Sequence, residues 1–192
     1  MLTAMRYSNS GRDMKRGSGT EMELTTLGRD FYTRDVLEVA PDLIGKFLII
    51  SNGHSPERRF MITEVEAYRG TDDKACHASK GRTARTEIMY HTGGKIYVYF
   101  VYGMYWMLNI VTGKADEPQA VLIRGVEGIS GPGRVTRELE IDGSFYGTDL
   151  ISSERIRIAG NGSSADYNAS PRIGIGYAGE PWISKPWRFM MR

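Results

Sequence analysis

The chain has almost no thiol: one cysteine, Cys76, in 192 residues. That excludes an internal disulfide and any zinc or iron–sulfur site built on cysteines, and it fits a reducing compartment. Long apolar runs are missing as well. No stretch approaches the roughly 20 residues of a membrane helix, and no secretory apolar region is present. Strong charge of either sign is lacking, since the formal net charge is +2. Bulk electrostatics therefore make no case for nucleic acid, and an anionic partner has to be met by local clusters of Arg and Lys. There is no internal repeat. Residues 1–25 are rich in Ser, Gly, Arg and Thr and have no periodic apolar face, so they are expected to be a disordered extension before one domain over residues 26–192. Hydrophobic residues at 41% and charged residues at 25% are ordinary for a globular protein, and the pattern of elements supports α+β.

Tyrosine and glycine are what the chain has in quantity. Eleven tyrosines are present, five of them between residues 90 and 105, and 23 glycines imply many turns and close backbone approaches. The rest is arranged around residues 61–77, MITEVEAYRGTDDKACH. Strand side chains alternate, so Met61, Thr63, Val65 and Ala67 are expected on one face and Ile62, Glu64, Glu66 and Tyr68 on the other. Two carboxylates and an aromatic then share a face. An exposed edge strand tolerates that with any polar residues; a central strand does so only where the carboxylates serve a site. After Gly70 an Asp-rich loop delivers His77.

Around this stretch, residues 31–45 read as a helix with Thr33 as N-cap and Gly45 as its stop, broken or split at Pro41. Residues 47–51 form an apolar strand, Asn52-Gly53 a turn, and residues 59–68 the returning arm of a hairpin. In residues 81–86, Arg82 and Arg85 stand among small residues, which suits phosphate oxygens and equally suits a solvated loop. Residues 96–110 are two strands around Gly103, with Tyr97, Tyr99 and Val101 on one face and Ile96, Val98, Phe100 and Tyr102 on the other. Gly103 permits a turn that presents Tyr102 and Met104. Such aromatics fill cores as readily as they stack nucleobases. Asn109 sits in an apolar setting, where an amide has to be paired. A strand over residues 120–124 ends on Arg124, and residues 130–133 lead with Arg134 into a helix over 135–139, whose exposed first amides suit a phosphate. Residues 172–179 alternate Gly with apolar residues but lack the order and context of a dinucleotide fingerprint.

Taken in order, several of these segments resemble the alkyladenine (3-methyladenine) DNA glycosylase family, the type without a helix-hairpin-helix. They are Thr63-Glu64-Val65-Glu66-Ala67-Tyr68 with His77, Tyr97-Val98-Tyr99, Tyr102-Gly103-Met104-Tyr105, Asn109-Ile110, residues 121–124, and Ser130-Gly131-Pro132-Gly133. Arg172-Ile173-Gly174-Ile175-Gly176, Ala178-Gly179-Glu180, Lys185-Pro186 and Arg188-Phe189 complete the set, which spans roughly residues 27–189. Each motif alone is weak; the ordered set is specific. The resemblance implies a single α+β domain built on a curved antiparallel β-sheet with flanking helices. It implies a monomer acting on double-stranded DNA with damaged purines, no membrane, no metal and no cofactor. The compartment implied is cytoplasm or nucleoid in a bacterium, nucleus or organelle in a eukaryote.

The same resemblance assigns roles. Glu66 is the general base, and Arg124 holds Glu66 or the attacking water. Tyr68, His77 and Tyr99 surround the flipped base, Asn109 forms the pocket floor, and Tyr102 enters the duplex where the base left. Arg82, Arg85 and Arg134 are candidates for the DNA backbone. No family-matched lysine is present, so base release by water without strand cleavage is expected. Only the resemblance prefers Glu66 to Glu64, and Trp106 and Leu108, next to Asn109, leave the lesion spectrum open. Two rival readings remain: a non-catalytic nucleic-acid-binding module with a tyrosine stacking sheet, and a small-molecule nucleosidase that needs no wedge.

Overall fold

The computed structural model describes residues 23–51, 53 and 56–192. Residues 1–22 of the expected extension, and Asn52 of the expected turn, lie outside the described residues. Thr25 and Thr26 already form a strand, β1, paired with Gly160 and Ala159.

Ten strands join into one antiparallel sheet that curls into a half-barrel. After β1 come β2 (Phe47–Ile50), β3 (Arg58–Arg69), β4 (Ile96–Val101), β5 (Tyr105–Val111) and β6 (Gln119–Val126). Then follow β7 (Ile129–Ser130), β8 (Ile156–Gly160), β9 (Tyr167–Ser170) and β10 (Arg188–Met191). The order across the sheet is β1-β8-β2-β3-β6-β5-β4, with β10 added to β3 and β9, and β7 to β6. β3 is the hub. Its first residues pair with β2, while Glu66 has Cα partners in both β6 (Leu122) and β10 (Arg188). The strand with the two carboxylates is therefore central, not an edge.

Strict alternation along β3 does not hold. Ile62 pairs with Val126, Glu64 with Gly125 and Val65 with Ile123, so Thr63 and Arg124 are left without Cα partners in two compensating bulges. Ile62 thus joins Val65 and Ala67 in the main core, while Glu64, Glu66 and Tyr68 share the opposite face. Bulges re-aim side chains beside functional sites, and this one separates the isoleucine from the carboxylates. β6 also runs past Arg124, because β7 folds back on Gly125 and Val126.

Two short helices cover the core side where one interrupted helix was expected: α1 (Arg29–Tyr32) and α2 (Val36–Leu43). The break falls before Asp35, not at Pro41. Asp35 rather than Thr33 caps α2, accepting from the Leu37 amide at 2.9 Å, and is held by Arg69 at 2.7 Å. Pro41 is tolerated because α2 ends one turn later, with the Ile44 amide returning to its carbonyl. Val36, Val39, Ala40 and Leu43 follow helical spacing and bury one stripe among the β3 and β6 core residues. Truncating Leu43 to Ala would cost about 2–5 kcal/mol. A third helix, α3 (Pro132–Glu138), packs Val135 into the same core.

On the other face lies a second apolar cluster, with Cys76, Ala78, Met89, Tyr97 and Ala120 buried and Tyr68 and Tyr99 packed against it. Two 3₁₀ turns, His77–Lys80 and Glu87–Tyr90, carry that face. Among the described residues, no helix is long and apolar enough to cross a membrane.

Candidate active site

Glu66 has no exposed surface. Its Oε2 accepts from the Tyr68 hydroxyl at 2.8 Å, its Oε1 accepts from the Ile173 amide at 2.8 Å, and Arg124 Nη1 lies 3.4 Å from Oε1. Glu66 is held by two hydrogen bonds and one ion-pair contact.

Glu64 is placed differently. Its Oε1 takes Arg124 Nε at 3.0 Å and Arg188 Nη1 at 3.3 Å. Gly125 faces it: a Cβ there would sit 3.2 Å from the Glu64 Cβ. Arg124 bridges the two carboxylates, and two arginines balance two acids. A carboxylate buried without such partners would neutralise by taking a proton. Burial, then the nearby Glu66 charge and the hydrogen bond to it, raise the Tyr68 phenol well above its usual range, so it stays a donor.

Beside Glu66 is a recess lined by Tyr68, His77, Tyr97, Tyr99, Asn109 and Tyr177. Alternation puts Tyr97 and Tyr99 of β4 on this face. The 3₁₀ turn brings His77 against them, ring centroids 4.5 Å from Tyr99, with Nδ1 2.8 Å from the Tyr97 hydroxyl. Burial, helped by Arg85 and Lys80, pushes the imidazole down to about 4, so it is neutral at pH 7. Burial pushes the Tyr97 phenol up to about 12. Either group can donate in this hydrogen bond, since a neutral ring carries its proton on one nitrogen or the other and a hydroxyl both donates and accepts. Asn109, 3% exposed, donates from Nδ2 to the carbonyls of Tyr97 (3.1 Å) and Met107 (3.2 Å), which pins its amide. Trp106 and Leu108 do not line the recess: they alternate to the main core, Leu108 buried within it and Trp106 stacked on Phe100.

The β4–β5 turn presents Tyr102 at 87% exposure. Tyr102 has φ 54° and Gly103 φ 66°, both left-handed, the geometry of a tight primed hairpin turn. A tyrosine there costs on the order of 1 kcal/mol or more, and a residue held against that cost commonly serves a site.

Of the remaining candidates, Arg85 is exposed and lies over the Tyr99 ring at 5.0 Å. Arg134 is exposed in α3 with no carboxylate partner among the described residues. Arg82 is occupied, paired with Glu87 at 2.6 Å and Asp116 at 2.9 Å. Sequence reasoning gave no role to Tyr97, Tyr177, Asp73, Arg188 or the Ile173 amide. Tyr97 was within reach, since alternation puts it beside Tyr99. The others depend on which distant segments meet, and no local pattern carries that.

The curled antiparallel sheet thus sets a buried, arginine-bridged glutamate beside an aromatic recess and an exposed tyrosine hairpin. The protein-family model for methylpurine-DNA glycosylase matches residues 30–130 and 127–192, and the chain belongs to that family. Relatives provisionally named 3-methyladenine DNA glycosylase agree with this. The one from Natranaerobius thermophilus is 39% identical over 190 residues, covering 86% of this chain and 95% of the relative. Those from Wolbachia pipientis subsp. Culex pipiens (44%; 88% and 91%) and Sodalis glossinidius (42%; 86% and 96%) are as similar. The family is one of DNA glycosylases, with DNA as its partner and base excision repair as its setting.

Proposed function

We propose that the chain hydrolyses the N-glycosidic bond of alkylated or deaminated purines, flipped out of duplex DNA, with water as the nucleophile. Glu66 takes a proton from that water as the sugar develops oxocarbenium character, and its negative charge stabilises the cation. Arg124 and the Ile173 amide hold the Glu66 carboxylate in place. Tyr68, Tyr99 and His77 clasp the base. Their faces attract an electron-poor alkylated purine, and a neutral His77 does not repel it. The pinned Asn109 amide cannot swing aside, so a base with an extra amino group meets it as a clash. Tyr102 fills the gap left in the stack.

The observation that carries this reading is a fully buried Glu66, held by the Tyr68 hydroxyl, the Ile173 amide and the Arg124 guanidinium, beside an aromatic recess. No lysine lines that recess among the described residues, which favours base release without a Schiff base. The test is single-turnover base release from duplexes carrying one hypoxanthine, one ethenoadenine or an alkylated purine, with alkali revealing abasic sites. Glu66→Gln should slow release by roughly 10²–10⁴-fold while the duplex still binds. Release by both proteins would remove Glu66 from the role. Binding without any release would favour the non-catalytic module, and a borohydride-trapped adduct would exclude the water mechanism.

A further inference from the structure

Base release by water has no evident use for a second buried ion pair, yet one lies directly behind Glu66. Neither Asp73 nor Arg172 exposes any side-chain surface. The Asp73 carboxylate gathers four donors: Arg172 Nη1 (2.6 Å) and Nη2 (2.9 Å), the Arg69 amide (3.1 Å) and the Ala75 amide (3.0 Å). The Arg172 guanidinium lies 4.8 Å from the Tyr68 ring and 5.0 Å from Trp187. Its Nε is buried with no partner. Desolvating such a pair costs about as much as the attraction returns, and apolar replacements are often as stable. Stability is thus a poor reason for its presence.

Its connections are more telling. Arg172 Nη1 also donates to the Ala67 carbonyl at 3.0 Å, fixing the backbone one residue after Glu66. The next residue along from Arg172 is Ile173, whose amide donates to Glu66 Oε1 at 2.8 Å. Residues 171–175 belong to no strand or helix, and the Ile173 side chain is 50% exposed. Neither regular structure nor packing of that side chain holds the amide in place. One guanidinium therefore ties down both the strand that bears Glu66 and the loop that grips its carboxylate.

We propose that the Asp73–Arg172 pair is a positioning device that presses the Ile173 amide onto Glu66 and so fixes the direction of the carboxylate. This rests on the reading of Glu66 as the base. Charged groups facing Glu66 from its neighbours are Arg124 on β6 and, one carboxylate removed, Arg188 on β10 holding Glu64. These are left intact by changes at Asp73 or Arg172.

The test measures single-turnover release and affinity separately, on whichever lesion duplex the wild-type protein releases best. Arg172→Lys and Asp73→Asn should each slow release roughly ten- to hundred-fold, the scale of one hydrogen bond to a charged group, with affinity nearly unchanged. Converting the Ile173 peptide to an ester, which deletes only the N–H, should give the same loss. Combined with Arg172→Lys it should give no further loss, since both remove one contact. Wild-type rates from Arg172→Lys and Asp73→Asn beside an inactive Glu66→Gln would overturn the positioning role and leave the base reading standing. A Glu66→Gln protein that keeps its rate would remove both. Weakened affinity at full rate would place the pair behind Tyr68 in the base pocket and overturn the proposal. Where Arg172→Lys and Asp73→Asn do not fold, the ester protein decides, and a wild-type rate from it overturns the proposal.

Discussion

His77 gives the residue scale its sharpest consequence. Its imidazole is held near 4 in the fold against 6.5 ordinarily, chiefly by burial. Between those values the unfolded chain binds more protons than the folded one, so stability rises with pH across the window and is lost on acidification. Above 6.5 the ring is neutral in both states and the effect vanishes. Wild-type protein should therefore lose more stability between pH 7 and pH 5 than His77→Gln does, measured as the shift in urea midpoint. Equal shifts would mean that His77 titrates normally. At this scale the sequence named Tyr68, His77, Tyr99 and Asn109, which the fold brings to one recess. It could not separate Glu64 from Glu66. The difference lies in Arg188, 124 residues from Glu64, and in the Ile173 amide, 107 residues from Glu66. Those contacts are made by β10 pairing and by a loop, neither of which has a local signature near β3.

At the scale of elements, β3 and the β4–β5 hairpin position everything. The strand itself was legible from its period, but its bulge was not, since the missing partners of Thr63 and Arg124 appear only when β3 meets β6. Gly45 stops α2 as expected, with φ 80° just past the Ile44 cap, but the start and the break were misplaced for a similar reason. Thr33 and Pro41 are good local signals, yet Asp35 caps α2 because Arg69 from β3 also holds it. The hairpin turn was legible, because Gly103 after an aromatic run leaves few other options. It also invites a test that separates fold from function. Tyr102→Asn would create Asn-Gly at the two left-handed positions, the pair that primed turns favour. Relief of strain should raise stability by up to about 1 kcal/mol. Loss of the ring should slow release from duplexes and leave single-stranded lesions nearly unaffected. A variant that gains stability and keeps full duplex activity would take Tyr102 out of the wedge role and favour a nucleosidase-like site.

At the scale of the whole molecule, a formal net charge of +2 cannot by itself hold DNA. Attraction has to come from arginines and lysines not already neutralised by the protein. Arg82, Arg85 and Arg134 look alike in sequence, and the fold sorts them. Arg82 spends its charge on Glu87 and Asp116. Arg85 leans over Tyr99 at the recess, and Arg134 is exposed without a carboxylate partner among the described residues. Each phosphate neutralised by a free cation contributes about 0.9 to the slope of log affinity against log salt. Removing Arg85 or Arg134 should flatten that slope by about one unit each, whereas Arg82→Ala should leave it nearly unchanged. Binding isotherms at several salt concentrations, on undamaged duplex so that base flipping does not contribute, would read all three. A flattened slope for Arg82→Ala would mean that its ion pairs open on DNA, and that Glu87 and Asp116 compete with phosphate for it. Equal slopes for wild type, Arg85→Ala and Arg134→Ala would move the DNA backbone to another face, because a +2 protein has no diffuse charge with which to compensate.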